Sequence, residues 1–250
     1  MRLIFLNGWS ASASLLGELP NLLSEKYELI VVDHIYQYSP EEIRRKIEAL
    51  LNDETVLLGW SLGGMLALQA LIEDSSLSAK LRAVIVLQAT PCFMKKADWT
   101  SGVAEDAFID LEAEVETQNG KKLVRLFTQL MLAGSVDPSA ERKRINGRYT
   151  AGNLPAWPVL KKGLLYLREL DLRHSLEQLQ LPVYGLYGAN DALIRPEVMS
   201  FLEKHCASFK GQIIPQMGHF PFGQFAGTIA HKIMTFLESV PKKSDSHECH

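Results

Sequence analysis

Cysteine is scarce in this chain of 250 residues: there are three, Cys92, Cys206 and Cys249, an odd and widely spaced set. That spacing argues against a disulfide framework or a metal site and fits free thiols in a reducing cytoplasm. Long apolar runs are also lacking. The stretch Leu3 to Leu6 is too short for the apolar region of a signal peptide, and nothing reaches the roughly 20 residues of a membrane span, so no membrane partner is expected. Charge of one sign is missing too, with 26 basic residues against 29 acidic ones and a net charge of −3, so no nucleic-acid partner is implied. What is present is 47% hydrophobic and 22% charged residues, enough to bury a large core as one domain, or one domain with an insertion. Pro241 to His250 is polar and charged and reads as a loose tail.

Short apolar runs alternate with helical patterns: Leu3 to Leu6, Leu29 to Val32, Val56 to Leu58, Val84 to Leu87, Val183 to Tyr187 and Gln212 to Ile214. Strands of this length, separated by helices, predict a mostly parallel sheet covered on both faces, an α/β fold. Ser39-Pro40-Glu41-Glu42 places a capping serine before proline at the first helical position and predicts a helix reaching about Leu51. A second helix opens at Ser61, and the last spans Gly223 to Leu237.

The run Thr55-Val56-Leu57-Leu58 leads into Gly59-Trp60-Ser61-Leu62-Gly63-Gly64, and Met65 to Leu71 leads out. A bare G-x-S-x-G also fits a glycine-rich loop with a solvated serine. Between a buried strand and a helix it reads as the nucleophile elbow of α/β-hydrolases, where small residues on either side of the serine let strand and helix pack around a strained turn. A serine hydroxyl is a poor nucleophile at neutral pH, so the elbow needs a histidine to take its proton and an acid to orient that histidine, in the chain order Ser, Asp or Glu, His.

The strand Val183 to Tyr187 runs into Gly188-Ala189-Asn190-Asp191, and Ile213-Ile214-Pro215 runs into Gln216-Met217-Gly218-His219. Both candidates thus follow the carboxyl ends of strands, where ligands meet an open parallel sheet. Asp191 also suits a helix cap near Pro196, and His219 a solvated loop. Asp33, at another strand end, is the rival acid. His34 precedes the elbow and breaks the order; His174, His205, His231, His247 and His250 lie in helices, the insertion or the tail. An acyl-transfer intermediate needs two backbone donors. Leu62, after the nucleophile, and Trp9, in the loop Asn7-Gly8-Trp9-Ser10, are the expected oxyanion pair, with Trp9 and Trp60 as apolar walls or core packing. This chemistry calls for no metal and no cofactor.

Between Leu87 and Val183 about ninety residues pass with helical patterns only. The expected organisation is a core of residues 1–90 and 176–240, a helical lid of 91–175 and the tail of 241–250. Across 92–120 two basic residues face seven acidic ones, a net −5; across 121–173 eleven basic residues face four acidic ones, a net +7. The basic segment is either a solvated helical face or a docking patch for an acidic partner.

Leu6-Asn7-Gly8-Trp9, Gly59 to Gly64, Ala89-Thr90-Pro91-Cys92-Phe93 with Asp98-Trp99, Leu170-Asp171-Leu172-Arg173, Leu186-Tyr187-Gly188 with Asp191, and Gly218-His219-Phe220-Pro221-Phe222 together resemble the BioH-type pimeloyl-carrier-protein methyl ester esterases of biotin synthesis. The resemblance implies an α/β-hydrolase with a four-helix lid, an acyl tunnel walled by Leu126, Phe127 and Leu130, and Arg125, Arg142, Arg144 and Arg148 docking an acyl carrier protein. The expected protein is a cytoplasmic monomer that hydrolyses the distal methyl ester. A broad short-chain carboxylesterase and a carbon–carbon lyase of the menaquinone-pathway type are the alternatives on the same fold. Three departures from the family pattern stand out. Asn7 replaces the usual histidine, Asp33 to Tyr38 replaces a glycine-rich loop, and the chain starts on the strand that is normally third, which predicts six strands.

Overall fold

Each expected apolar run forms a strand: β1 (Arg2–Leu6), β2 (Glu28–Val32), β3 (Thr55–Trp60), β4 (Ala83–Leu87), β5 (Val183–Gly188) and β6 (Phe209–Ile214). The structure, a computed structural model, describes residues 1–241, so the expected tail lies almost wholly outside the described residues. The six strands make one sheet in the order β2-β1-β3-β4-β5-β6, and every neighbouring pair is parallel. All residues of β3, β4 and β5 are buried. Because successive strand side chains point to opposite faces, unbroken burial means that helices cover both faces of the sheet. The edge strands β2 and β6 are only partly buried, which is why the first half of β6, Phe209-Lys210-Gly211, carries no apolar run yet pairs with β5 from Val183 onward.

The core helices are α1 (Leu19–Ser24), α2 (Pro40–Glu48), α3 (Leu62–Glu73), α4 (Ser75–Lys80), α9 (Glu197–His205) and α10 (Ala226–Ser239); between β4 and β5 come α5 (Glu105–Glu116), α6 (Gly120–Leu132), α7 (Pro138–Ile145) and α8 (Trp157–Glu169). Ser39 forms a full capping box with Glu42. The helix it opens stops at Glu48 rather than near Leu51, because Leu50 and Leu51 turn back to Ile47 and Glu48 in tighter bonds. α10 starts at Ala226, not Gly223, because the Gln224 amide donates to Glu141 of α7 at 3.0 Å instead of entering the helix.

The inserted helices join the core through a narrow neck. Cys92 bridges Asp171 in antiparallel fashion, the Leu172 amide reaches the Pro91 carbonyl at 2.8 Å, and Trp99 Nε1 donates to the Cys92 carbonyl at 2.9 Å. Asp171 accepts from Arg173 (2.8 and 2.9 Å) and Lys96 (2.7 Å). Partial burial alone would raise its pKa, but these bonds outweigh that effect and hold the Asp171 carboxyl well below the usual carboxylate range. The motifs entering and leaving the insertion therefore meet in space as one clasp.

Candidate active site

Parallel pairing places the carboxyl ends of all six strands on one rim, and the residues just past those ends converge there. Ser61 follows β3 and precedes α3 with φ 52° and ψ −122°, a backbone state that costs about 1–3 kcal/mol for a non-glycine residue. Packing enforces it. A methyl group on Gly59 would come within 2.6 Å of the backbone of Gly63 and Gly64, and one on Gly63 within 2.1 Å of the Leu6 carbonyl. Only hydrogen at these two positions lets α3 start so close to β1 and β3. The Ser61 amide is anchored to the Leu87 carbonyl at 3.0 Å, leaving the side chain half-buried at the rim.

His219 Nε2 lies 3.1 Å from Ser61 Oγ, and His219 Nδ1 lies 2.8 Å from Asp191 Oδ2. His219 and Asp191 are both buried. The other Asp191 oxygen accepts from the Leu193 and Ile194 amides at 2.8 and 2.9 Å, so this carboxylate both caps a turn and orients the imidazole. Asp33 is committed elsewhere: it accepts from the Asn7 side chain and the Ala13 amide. Two further tethers steady the histidine loop. Gln88, in the left-handed region at φ 46°, donates to the Gly218 carbonyl, and Trp60 Nε1 donates to the His219 carbonyl at 3.3 Å.

The β1 loop comes alongside. A methyl group on Gly8 would sit 3.3 Å from Ser61 Cβ and 2.9 Å from the Trp60 ring, so the next residue, Trp9, borders the serine. The Trp9 and Leu62 amides donate to no other group among the described residues, and Leu62 opens α3, where unpaired N–H groups and the helix dipole favour an anion. The Trp9 and Trp60 side chains are buried. Phe127 meets Trp9 edge-on at 5.0 Å, whereas Leu126 and Leu130 pack half-buried against the core.

The arginines of the inserted helices divide. Arg144 pairs with the buried Glu141 at 2.7 Å, while Arg125, Arg142 and Arg148 are exposed and have no acidic partner within ion-pair distance among the described residues. Much of the remaining basic segment is neutralised by the acidic one: Lys122 pairs with Glu114, Lys161 with Glu116, and Arg168 with Glu105 and Glu112.

A family model described as the alpha/beta hydrolase fold matches residues 2–226. The chain belongs to the α/β-hydrolase fold family. Among curated relatives, this α/β-hydrolase is 27% identical over 247 residues to the pimeloyl-[acyl-carrier protein] methyl ester esterase of Pectobacterium atrosepticum, covering 95% of this chain and 94% of that one. It is 29% identical over 252 residues to the protein of the same name from Xanthomonas axonopodis pv. citri, covering 96% of each. Among solved structures it superposes on an esterase from Exiguobacterium antarcticum with a TM-score of 0.82, 19% identity and 95% and 92% coverage. A bromoperoxidase from Bacillus anthracis gives 0.81, 18%, and 95% and 91%. At those identities the likeness extends to the fold alone.

Five residues around the site of this α/β-hydrolase escape sequence reading. Gln88, Glu141, Ser10, Tyr36 and Tyr149 act through contacts between segments far apart in the chain. Gln88, Ser10 and Tyr36, which follow strands on the active rim, left a positional signal, but not one that names their partners.

Proposed function

We propose that this α/β-hydrolase is a serine carboxylesterase whose natural ester is the distal methyl ester of a pimeloyl chain on acyl carrier protein. The observation that carries the chemistry is His219, bonded to Ser61 on one nitrogen and to Asp191 on the other. Ser61 Oγ attacks the ester carbonyl as His219 Nε2 takes its proton; the same proton then goes to the leaving alkoxide, which departs as the alcohol. Asp191 keeps Nδ1 protonated and stabilises the imidazolium. The Trp9 and Leu62 amides hold the tetrahedral oxyanion, and water, activated by His219, hydrolyses the acyl-enzyme. Ser61→Ala is expected to remove about 10⁴-fold or more of the rate on a short-chain p-nitrophenyl ester. Retention of more than about a thousandth of the rate would refute the assignment.

Two things support the carrier-bound substrate. Relatives matched over nearly their whole length carry that name, and Arg125, Arg142 and Arg148 stand exposed on the lid without acidic partners among the described residues. Exposed cations without partners suit an acidic carrier protein. Phe127, with Leu126 and Leu130 beside it, is the proposed acyl-contact segment. Cys92 and Cys206 are buried free thiols, as suits a cytoplasmic enzyme, and no helix among the described residues is long and apolar enough to cross a membrane. Expression in a biotin-requiring strain that lacks its own methyl ester esterase is expected to restore growth. Failure of a well-expressed, esterase-active protein to rescue would favour a broad short-chain carboxylesterase.

A further inference from the structure

The loop carrying Trp9 has an unusual support. Ser10, directly after Trp9, is fully buried and sits in the left-handed region at φ 56°, where a residue with a side chain stays only when its surroundings insist. Two buried phenols supply that insistence. The Ser10 amide donates to Tyr36 Oη at 2.9 Å, and Ser10 Oγ shares a 2.6 Å hydrogen bond with Tyr149 Oη. Tyr36 follows β2 in the core, whereas Tyr149 comes from the loop after α7 in the lid. Burial pushes both phenols well above the usual tyrosine range, so each stays a neutral hydroxyl. Tyr36 Oη also lies within hydrogen-bond distance of His34 Nδ1, at 3.2 Å.

The Trp9 side chain is gripped from the lid as well. Its Nε1 donates to the Leu160 carbonyl of α8 at 3.0 Å. A methyl group on Gly163 would lie 2.4 Å from the Trp9 ring and 2.8 Å from Tyr36, so α8 lies directly on both. Among the described residues, every hydrogen bond that fixes Trp9 and Ser10 thus comes from Tyr36, Tyr149 or α8.

We propose that Tyr36 and Tyr149 are positioning residues of the oxyanion hole, clamping Ser10 from the core and from the lid so that the Trp9 amide stays aimed at the carbonyl oxygen of an ester on Ser61. This rests on the ester-hydrolysis reading above, and it makes the lid a structural part of the oxyanion hole as well as a cover. Neither phenol touches the reacting atoms; each acts through Ser10.

The test compares Tyr36→Phe, Tyr149→Phe, Ser10→Ala and the Ser10→Ala/Tyr149→Phe double variant of the full chain on a short-chain p-nitrophenyl ester. It also measures inhibition by a trifluoromethyl ketone, whose adduct on Ser61 puts an anionic oxygen in the hole. For each single variant kcat is expected to fall about tenfold, less than the 10²–10³ for outright loss of an oxyanion donor, with KM within about twofold. Ketone affinity should fall by the same factor as kcat/KM, and the double variant should lose no more than Tyr149→Phe alone. Unchanged kcat in Tyr149→Phe and Ser10→Ala, or a rise in KM with ketone affinity intact, would overturn the proposal. Should Tyr36→Phe fail to fold, the Ser10 and Tyr149 variants, which each remove a single hydroxyl, decide the question. Ser61→Ala separates the two levels. If it keeps its rate, the esterase reading itself fails; if it is inactive while the tyrosine and Ser10 variants match wild type, only this inference does.

Discussion

Successive residues of β3, β4 and β5 are buried without interruption, whereas the inserted helices α5 to α8 bury only one apolar stripe each and keep a solvent face, across which α5 is tied to α6 and α8 by ion pairs. Arg168 alone joins α8 to Glu105 and Glu112 of α5, and Lys122 and Lys161 tie α6 and α8 to the same acidic helix. The two regions place functional groups by different means. In the core, backbone geometry at strand ends aims Ser61, Asp191 and His219, and close packing makes that geometry intolerant of change. Among the inserted helices, partly exposed charge pairs are worth little each, with a median of about 0–1 kcal/mol. On the proposed reading, a chemistry common to many esters sits on the core, and selection among esters belongs to the inserted helices.

If that division holds, Asp191→Asn should have the largest effect, about 10⁴-fold in kcat on every ester, because the imidazole would lose its orientation and its counter-charge. A loss confined to carrier-bound substrate would break the comparison. Charge reversal of Arg125, Arg142 and Arg148 to Glu should be intermediate. Turnover of a carrier-bound methyl ester is expected to fall by roughly 10–100-fold, as for several lost docking charges, while a small soluble ester falls far less. Equal losses would end the docking idea.

The smallest effect is expected at the neck. Asp171→Asn removes a charge-assisted contact with Arg173 and Lys96 worth about 1.5–3 kcal/mol, and should lower Tm by roughly 5 °C, readable by calorimetry. Because the folded-state value of Asp171 is depressed, its contribution is present above the unfolded carboxylate value of about 3.9 and is lost as pH falls below it. The wild type should therefore lose stability on acidification more steeply than Asp171→Asn below about pH 4. Parallel curves for the two proteins would remove the clasp from the account.

Legibility followed the range of the interactions. β1 to β5 were readable because apolar runs between turn signals are local facts, as were the Ser39 cap and the elbow around Ser61. The order of serine, acid and histidine along the chain pointed to Asp191 and His219, which the fold brings together with Ser61. That Asp33 is tied to Asn7 and Ala13, and so unavailable to His219, was not readable, because it depends on how two neighbouring parallel strands align. The start of β6 was missed since an edge strand facing solvent needs no apolar run. The polarised charge of the insertion was plain, yet the sequence does not say that Lys122, Lys161 and Arg168 face the acidic helix while Arg125, Arg142 and Arg148 face outward.

By itself, then, the sequence determined the parallel α/β architecture, the strained turn at Ser61 and the residue types available for acyl transfer. These follow from apolar periodicity and from glycine at positions where nothing larger fits. Only the tertiary structure decided which acid faces His219, which lid cations remain unpaired, and that Tyr36 and Tyr149 close on Ser10 beside Trp9. The acid and the tyrosine contacts join groups 26 to 139 residues apart in the chain, a distance over which local pattern carries no information and packing alone selects the partner.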